Sequence, residues 1–140
     1  MVREAVKEEA LTYLRRAEEF LNSAYMSVEQ GWHNVAGFNA TQAVINSNDA
    51  LTVYYLEKRA SRDHKEAVRL HIDVVRKIND TTGRDILKHA LDQRSLVGYT
   101  AKAISKDDAV RLIKSATKFV EWVKRLVSQA EVKSYKPVKR

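Results

Sequence analysis

Cysteine is absent from the chain, which excludes disulfide frameworks and thiolate metal sites and is compatible with a reducing compartment. Proline occurs once and glycine four times. Both are poorly tolerated inside helices, so their scarcity favours long helical segments. No apolar run approaches the roughly 20 residues needed to span a bilayer. The first ten residues, MVREAVKEEA, are charged where a secretion signal needs an apolar stretch. The protein is therefore expected to be cytoplasmic, with no membrane contact. Glycine-rich phosphate loops, nucleophile elbows and zinc motifs are also missing. His64 and His71 are seven residues apart, two turns along one helical face, which is too far for ordinary shared ligation of a metal. No metal and no cofactor are expected.

What is present is a balanced globular composition with a basic excess. The 140 residues suit one domain, 44% of them are hydrophobic and 31% charged. The formal net charge is +7. Such a balance suggests an anionic partner such as RNA, DNA or an acidic protein, although part of the excess sits in the tail SYKPVKR.

Hydrophobic periodicity predicts helices throughout. Leu14, Ala17, Leu21, Ala24 and Val28 step by three and four along a first helix from about Val2 to Gln30. Ala36, Ala40, Ala43, Ser47, Ala50 and Tyr54 do so along a second, from about Trp32 to Lys58; five of these six are small and admit a close neighbour. Ser61 or Asp63 can cap a third helix, which runs to about Ile78 with Ala67, Val68, His71, Val74, Val75 and Ile78 inward. A loop, Asn79 to Gly83, separates it from a fourth helix that runs from Arg84 to about Gln93 or slightly beyond. Its apolar positions are Ile86, Leu87, Ala90, Leu91 and Leu96. Gly98 and the stretch to Ile104 read as a break. Ser105-Lys-Asp-Asp108 resembles a capping box opening a last helix to about Val132. Its inward set is Ala109, Leu112, Ile113, Ala116, Phe119, Val120, Val123, Leu126 and Val127. No strand alternation persists. The expectation is an all-α, antiparallel up-and-down bundle of four to five helices over residues 1–133, with a basic flexible tail at 134–140.

Three ordered stretches carry a family resemblance. The first is AlaGluGluPheLeuAsnSerAla (17–24), followed by Ala36, Phe38, Ala40 and SerAsnAspAlaLeu (47–51). The second is SerArgAspHisLysGluAlaVal (61–68). The third is LeuAspGlnArgSerLeuValGlyTyr (91–99), with IleSerLysAspAspAla (104–109) and AlaThrLysPheVal (116–120) after it. Together they resemble a HEPN domain over residues 14–127, in the bacterial branch with Asp-His at the second turn. The resemblance implies a helical bundle that dimerises through its long helices and associates with nucleotide or RNA. Many relatives are metal-independent ribonuclease toxins encoded beside a small nucleotidyltransferase antitoxin.

The family's ribonuclease signature is an Arg, a polar residue and, a few positions on, a His. It pairs a cation for the scissile phosphate with an imidazole for proton transfer. The matching stretch here is Arg94-Ser95-Leu96-Val97-Gly98-Tyr99, in which Gly98 and Tyr99 stand where the His belongs. The motif is therefore read as degraded. The residues that would carry residual chemistry are Arg94, Tyr99 and His64. Tyr99 lies in the region where some relatives are nucleotidylated. Two other Arg-to-His spacings, Arg59–His64 and Arg84–His89, fall away from the family position. Candidate ligand-binding residues are Asp49, Asp63, Lys102 and Arg111. Gln42, Asn46 and Asp49 form a polar stripe that reads either as a solvated face or as a cleft lining. The leading expectation is a binding module that acts with RNA or a nucleotidyltransferase. A ribonuclease toxin and a purely structural dimerisation bundle are the alternatives.

Overall fold

The computed structural model describes the backbone of residues 2–60, 63–99 and 101–134 and the side chains of residues 5–60, 63–95 and 101–127. Five helices, α1 (Glu9–Glu29), α2 (His33–Leu56), α3 (His64–Ile78), α4 (Arg84–Tyr99) and α5 (Lys106–Ser134), account for nearly all of it.

Three of the expected element boundaries move. The first helix begins at Glu9 rather than Val2, because Val2–Glu4 form a short strand, β1, paired antiparallel with β2 (Lys58–Ala60). Three residues are too few for an alternation signal, which is why no strand is legible in the sequence. The ribbon starts where Glu57 leaves α2 in the left-handed conformation (φ 54), and Ala5 N–H donates to its carbonyl at 2.9 Å. The fourth helix, expected to stop near Gln93, continues through Gly98 to Tyr99. A single glycine costs a helix only about 1 kcal/mol and does not end it without a further signal. Ser134, expected to open the tail, is the last helical residue, and 135–140 lie outside the described residues.

Cross-chain bonds fix the helix directions. Asn39 Nδ2 donates to Ser23 Oγ (2.9 Å) near the α1–α2 turn, while β1 and β2 join the opposite ends, so α1 and α2 are antiparallel. The turn itself uses Gly31 at φ +80, a conformation that strains any side chain. Asn34 Oδ1 accepts from the Ile104 amide at 2.7 Å, and Tyr55 O–H donates to the Leu126 carbonyl at 3.1 Å, so α5 runs alongside α2 in the same direction. Gly83, just before α4, sits against Phe119 and Trp122 of α5, and the far end of α4 reaches the start of α5. Hence α1, α2, α4 and α5 alternate in direction, with α3 as the connecting helix.

One hydrophobic core links all five helices. The expected inward stripes hold: Leu14, Ala17, Leu21 and Ala24 are buried on α1, and Ala109 to Val127 on α5 bury every named position except the partly covered Leu126. Several buried residues lie outside those stripes, among them Ala10 and Tyr13 on α1, Val44, Leu51 and Val53 on α2, Leu70 on α3 and Trp122 on α5. The Trp122 indole N–H is tied to Asp80 Oδ2 at 2.9 Å, so the polar Asn79–Gly83 loop is anchored to the core.

α2 is the central helix and is covered on nearly all sides. Its buried set runs from Ala36 to Tyr54 and includes five polar residues, Thr41, Ser47, Asn48, Asp49 and Thr52. A buried polar group without a partner costs about 1–3 kcal/mol. Thr41, Ser47 and Thr52 avoid this by donating to carbonyls of their own helix, at 2.7, 2.8 and 3.4 Å. Asn48 and Asp49 instead find their partners off the helix, Asn48 at His71 of α3 and Asp49 at Arg59 of β2.

Candidate functional site

The site grows from the helix geometry. Residues at spacings of three and four share a helical face, so Gln42, Ile45 and Asp49 of α2 line one side of a cleft of about 140 Å³. Leu91 and Arg94 of α4 close the opposite side for the same reason, and His64 and Ala67 of α3 form the floor. The remaining wall is β2, which contributes Arg59 and Ala60, and Asp63 stands at its rim. Asn46 of the α2 stripe is absent from this lining: its side-chain amide donates back to the Gln42 carbonyl at 2.9 Å.

Asp49 is the electrostatic centre. Its side chain is only 12% exposed, and Arg59 Nη1 lies 3.9 Å from its Oδ2. Burial pushes its carboxyl from the ordinary 3.8 up to about 7, against the opposing pull of the Arg59 and Arg94 guanidiniums. Desolvation outweighs two cations because the nearer pair is long and leaves the carboxylate without a close donor from either arginine. Arg59 is itself held over the Tyr13 ring, 5.2 Å from its centroid, so it is positioned by α1 as well as by β2.

His64 and Asp63 open α3. Asp63 Oδ1 accepts the Lys65 amide at 2.8 Å, the N-cap bond expected from the sequence, so this carboxylate is committed to the helix start while it lines the rim. His64 is half-buried, with Nδ1 3.4 Å from Ser95 Oγ on α4. The arrangement can hold an anion between two guanidiniums and can pass a proton through a carboxyl that titrates near neutrality or through an imidazole.

Of the residues singled out in the sequence, Asp49, Asp63, His64 and Arg94 come together here. Lys102 and Arg111 do not. They line a separate cleft of about 340 Å³ with His89, Gln93, Asp108 and Ser115. Successive helix residues are about 100° apart, which puts His89 and Gln93 on the side of α4 opposite Leu91 and Arg94. Arg111 is paired there with Asp108 Oδ1 at 2.6 Å. The Arg84–His89 spacing does not make a site: Arg84 acts instead on His71, and His89 belongs to this second cleft. The Tyr99 side chain lies outside the described residues, although its backbone ends α4.

Arg59 is the residue that sequence reasoning missed. It was weighed only as the start of an Arg–His spacing at the wrong helix junction. Its partner Asp49 is ten residues earlier, and the reversal that brings them together depends on a left-handed Glu57 and on pairing with Val2–Glu4, neither of which leaves a pattern.

The second histidine of α3 contrasts with the first. His71 is fully buried, donates from Nδ1 to Asn48 Oδ1 at 2.8 Å and packs against Phe119 and Trp122, with ring centroids 6.1 and 5.8 Å away. Burial, with a smaller contribution from Arg84, lowers it from 6.5 to about 4, and its Nε2 has no hydrogen-bond partner among the described residues. Among the described residues no three His, Asp or Glu side chains gather as a metal site would require. None of the described helices is long and apolar enough to cross a membrane.

No curated protein matches the chain in sequence. A family model, that of the HEPN domain, matches residues 10–126. That span takes in α1 to α4 and most of α5, including every side chain that lines the Asp49 cleft, and the chain therefore belongs to the HEPN family, whose members are linked to ribonuclease and nucleotide-related functions.

Proposed function

We propose that this HEPN chain is a binding module for nucleotide or RNA phosphates, with Arg94 and Arg59 as the phosphate-holding cations and Asp49 and His64 as their polar neighbours. The observation that carries the reading is the convergence of these four side chains, from four separate elements, on one cleft. Arginine suits the role because its planar fork matches phosphate oxygens and keeps its charge at all relevant pH. In the setting the resemblance implies, the module works as a homodimer beside a nucleotidyltransferase partner, and its nuclease motif is degraded.

The test is binding of a fluorescein-labelled single-stranded RNA at low salt by wild type, Arg94→Ala and Arg59→Ala. Losing a charge-assisted phosphate contact costs about 1.5–3 kcal/mol, so each variant is expected to bind roughly 10- to 100-fold more weakly. Unchanged affinity in both would overturn the reading.

A second reading is a metal-independent endoribonuclease, of the kind found in toxin–antitoxin pairs. It is favoured by a carboxyl that titrates near neutrality in the same cleft as an imidazole, the pairing that general acid–base cleavage uses. Tyr99 joins Arg94 and His64 in this proposal. RNA cleavage with chelator present, lost in Arg94→Ala and in His64→Ala, would establish it. Absence of cleavage by the wild type would leave the binding module.

A further inference from the structure

The Asp49 cleft does not end at His64. Beyond that ring a groove of about 550 Å³ continues between α3 and α4, and His64 and Leu91 line both spaces. Its lining divides by chemistry. Val68, Ile72 and Leu91 supply an apolar floor. Lys65, Arg69 and Arg76 of α3 and Lys88 of α4 stand along it against two carboxylates, Asp73 and Asp92. Arg76 is paired with Asp73 at 3.5 Å, so Lys65, Arg69 and Lys88 are the cations with which the groove meets a ligand. All three are exposed. The α3 residues that line the groove run from His64 to Arg76, roughly 18 Å at a rise of 1.5 Å per residue, longer than one nucleotide and suited to a short run of them.

We infer that the α3–α4 groove is an entry track for single-stranded RNA, in which Lys65, Arg69 and Lys88 hold phosphates and the aliphatic floor takes base faces, leading the strand past His64 to Arg94 and Arg59. The inference rests on the phosphate-binding reading of the Asp49 cleft and extends it from one phosphate to a directed strand. Charge complementarity selects this occupant: cations from α3 and α4 flank an apolar strip, which matches a polymer of alternating phosphates and flat apolar faces.

The decisive experiment compares two variants that remove the same charge. Lys65→Gln/Arg69→Gln/Lys88→Gln empties the groove, and Lys106→Gln/Lys114→Gln/Lys118→Gln removes three exposed lysines of α5 outside it. Binding of a fluorescein-labelled single-stranded RNA of about 12 nucleotides is followed by anisotropy across a salt series. The groove variant is expected to lose at least tenfold in affinity, with the slope of log affinity against log salt falling by about 2, since each single-strand phosphate contact contributes about 0.7. The α5 variant is expected to stay within threefold of wild type. Equal losses in both variants would sink the track and leave the phosphate reading intact, because Arg94→Ala still decides that. Failure of the wild type to bind would sink both. Displacement of the RNA by polyglutamate at equal charge concentration, or dissociation of a dimer into monomers in the groove variant, would assign the groove to a protein partner and overturn the inference.

Discussion

Asn48 and Asp49 are consecutive residues of α2, one bonded to a histidine of α3 and the other sharing a cleft with one, yet their surroundings share little. Asn48 faces inward, bonds to His71 and is sealed by Phe119 and Trp122. Asp49 faces a cleft with His64 at its floor and two guanidiniums in its walls. Rotating by one residue on the central helix moves from dry core to open site. The inner pair keeps one neutral hydrogen bond inside an aromatic box, with His71 Nε2 left without a partner among the described residues, and has no charge to offer a ligand. The outer group is left with charge it can neither fully shed nor fully pair, which is what a binding or proton-transferring group needs.

The comparison breaks most visibly on the inner side. His71→Ala would remove a buried ring and orphan Asn48, at a cost of about 3 kcal/mol and a fall in Tm of roughly 10 °C. Urea unfolding followed by circular dichroism measures it. A loss below about 1 kcal/mol would mean that the aromatic box is not close-packed. Gly83→Ala attacks the same box from outside. A Cβ there would lie 2.5 Å from Trp122 Cζ3 and 2.7 Å from Phe119 Cε2. The expected cost is about 2 kcal/mol, and it should appear together with a changed tryptophan emission.

The pH dependence sharpens the contrast. A carboxyl raised to about 7 contributes stability that is full below its ordinary 3.8 and is lost as pH rises through 7. An imidazole lowered to about 4 contributes stability that is full above its ordinary 6.5 and is lost as pH falls through 4. Between about pH 4 and 6.5 the two slopes oppose each other, and wild-type stability is expected to be nearly flat as far as these groups decide it. Asp49→Asn should uncover the His71 slope, with stability rising with pH by at most about 1.4 kcal/mol per unit. His71→Gln should uncover the opposite slope. Parallel profiles in both variants would refute the pairing of effects. The smallest effect is local to the cleft. Arg59→Ala should move the Asp49 titration above 7, read from its carboxyl carbon by NMR. No movement would mean that the 3.9 Å pair is screened by solvent.

The helices were legible because their apolar stripes follow a 3.6-residue period: every expected position of α2 is buried, and on α5 every one but the partly covered Leu126, although α2 buries its other faces as well. The end of α4 is less legible, because Gly98 resembles a helix stop but one glycine costs too little to be one. The site was legible in part. Asp49, His64 and Arg94 were reachable because each lies on a helix whose phase the sequence sets. Arg59 lay on a strand whose existence depends on residues more than fifty positions away. Lys102 and Arg111 share only their charge with the others, and charge does not reveal which side of α4 a cleft opens on.

The two-stranded ribbon has a consequence for how the cleft is governed. Three paired positions, Val2–Ala60, Arg3–Arg59 and Glu4–Lys58, join the opening of the chain to the strand that carries the cleft's nearest guanidinium. The ribbon thus holds the backbone that carries Arg59: loosening β1, by trimming it or by attaching bulk to it, is expected to release Arg59 and raise the proton affinity of Asp49 from outside the cleft.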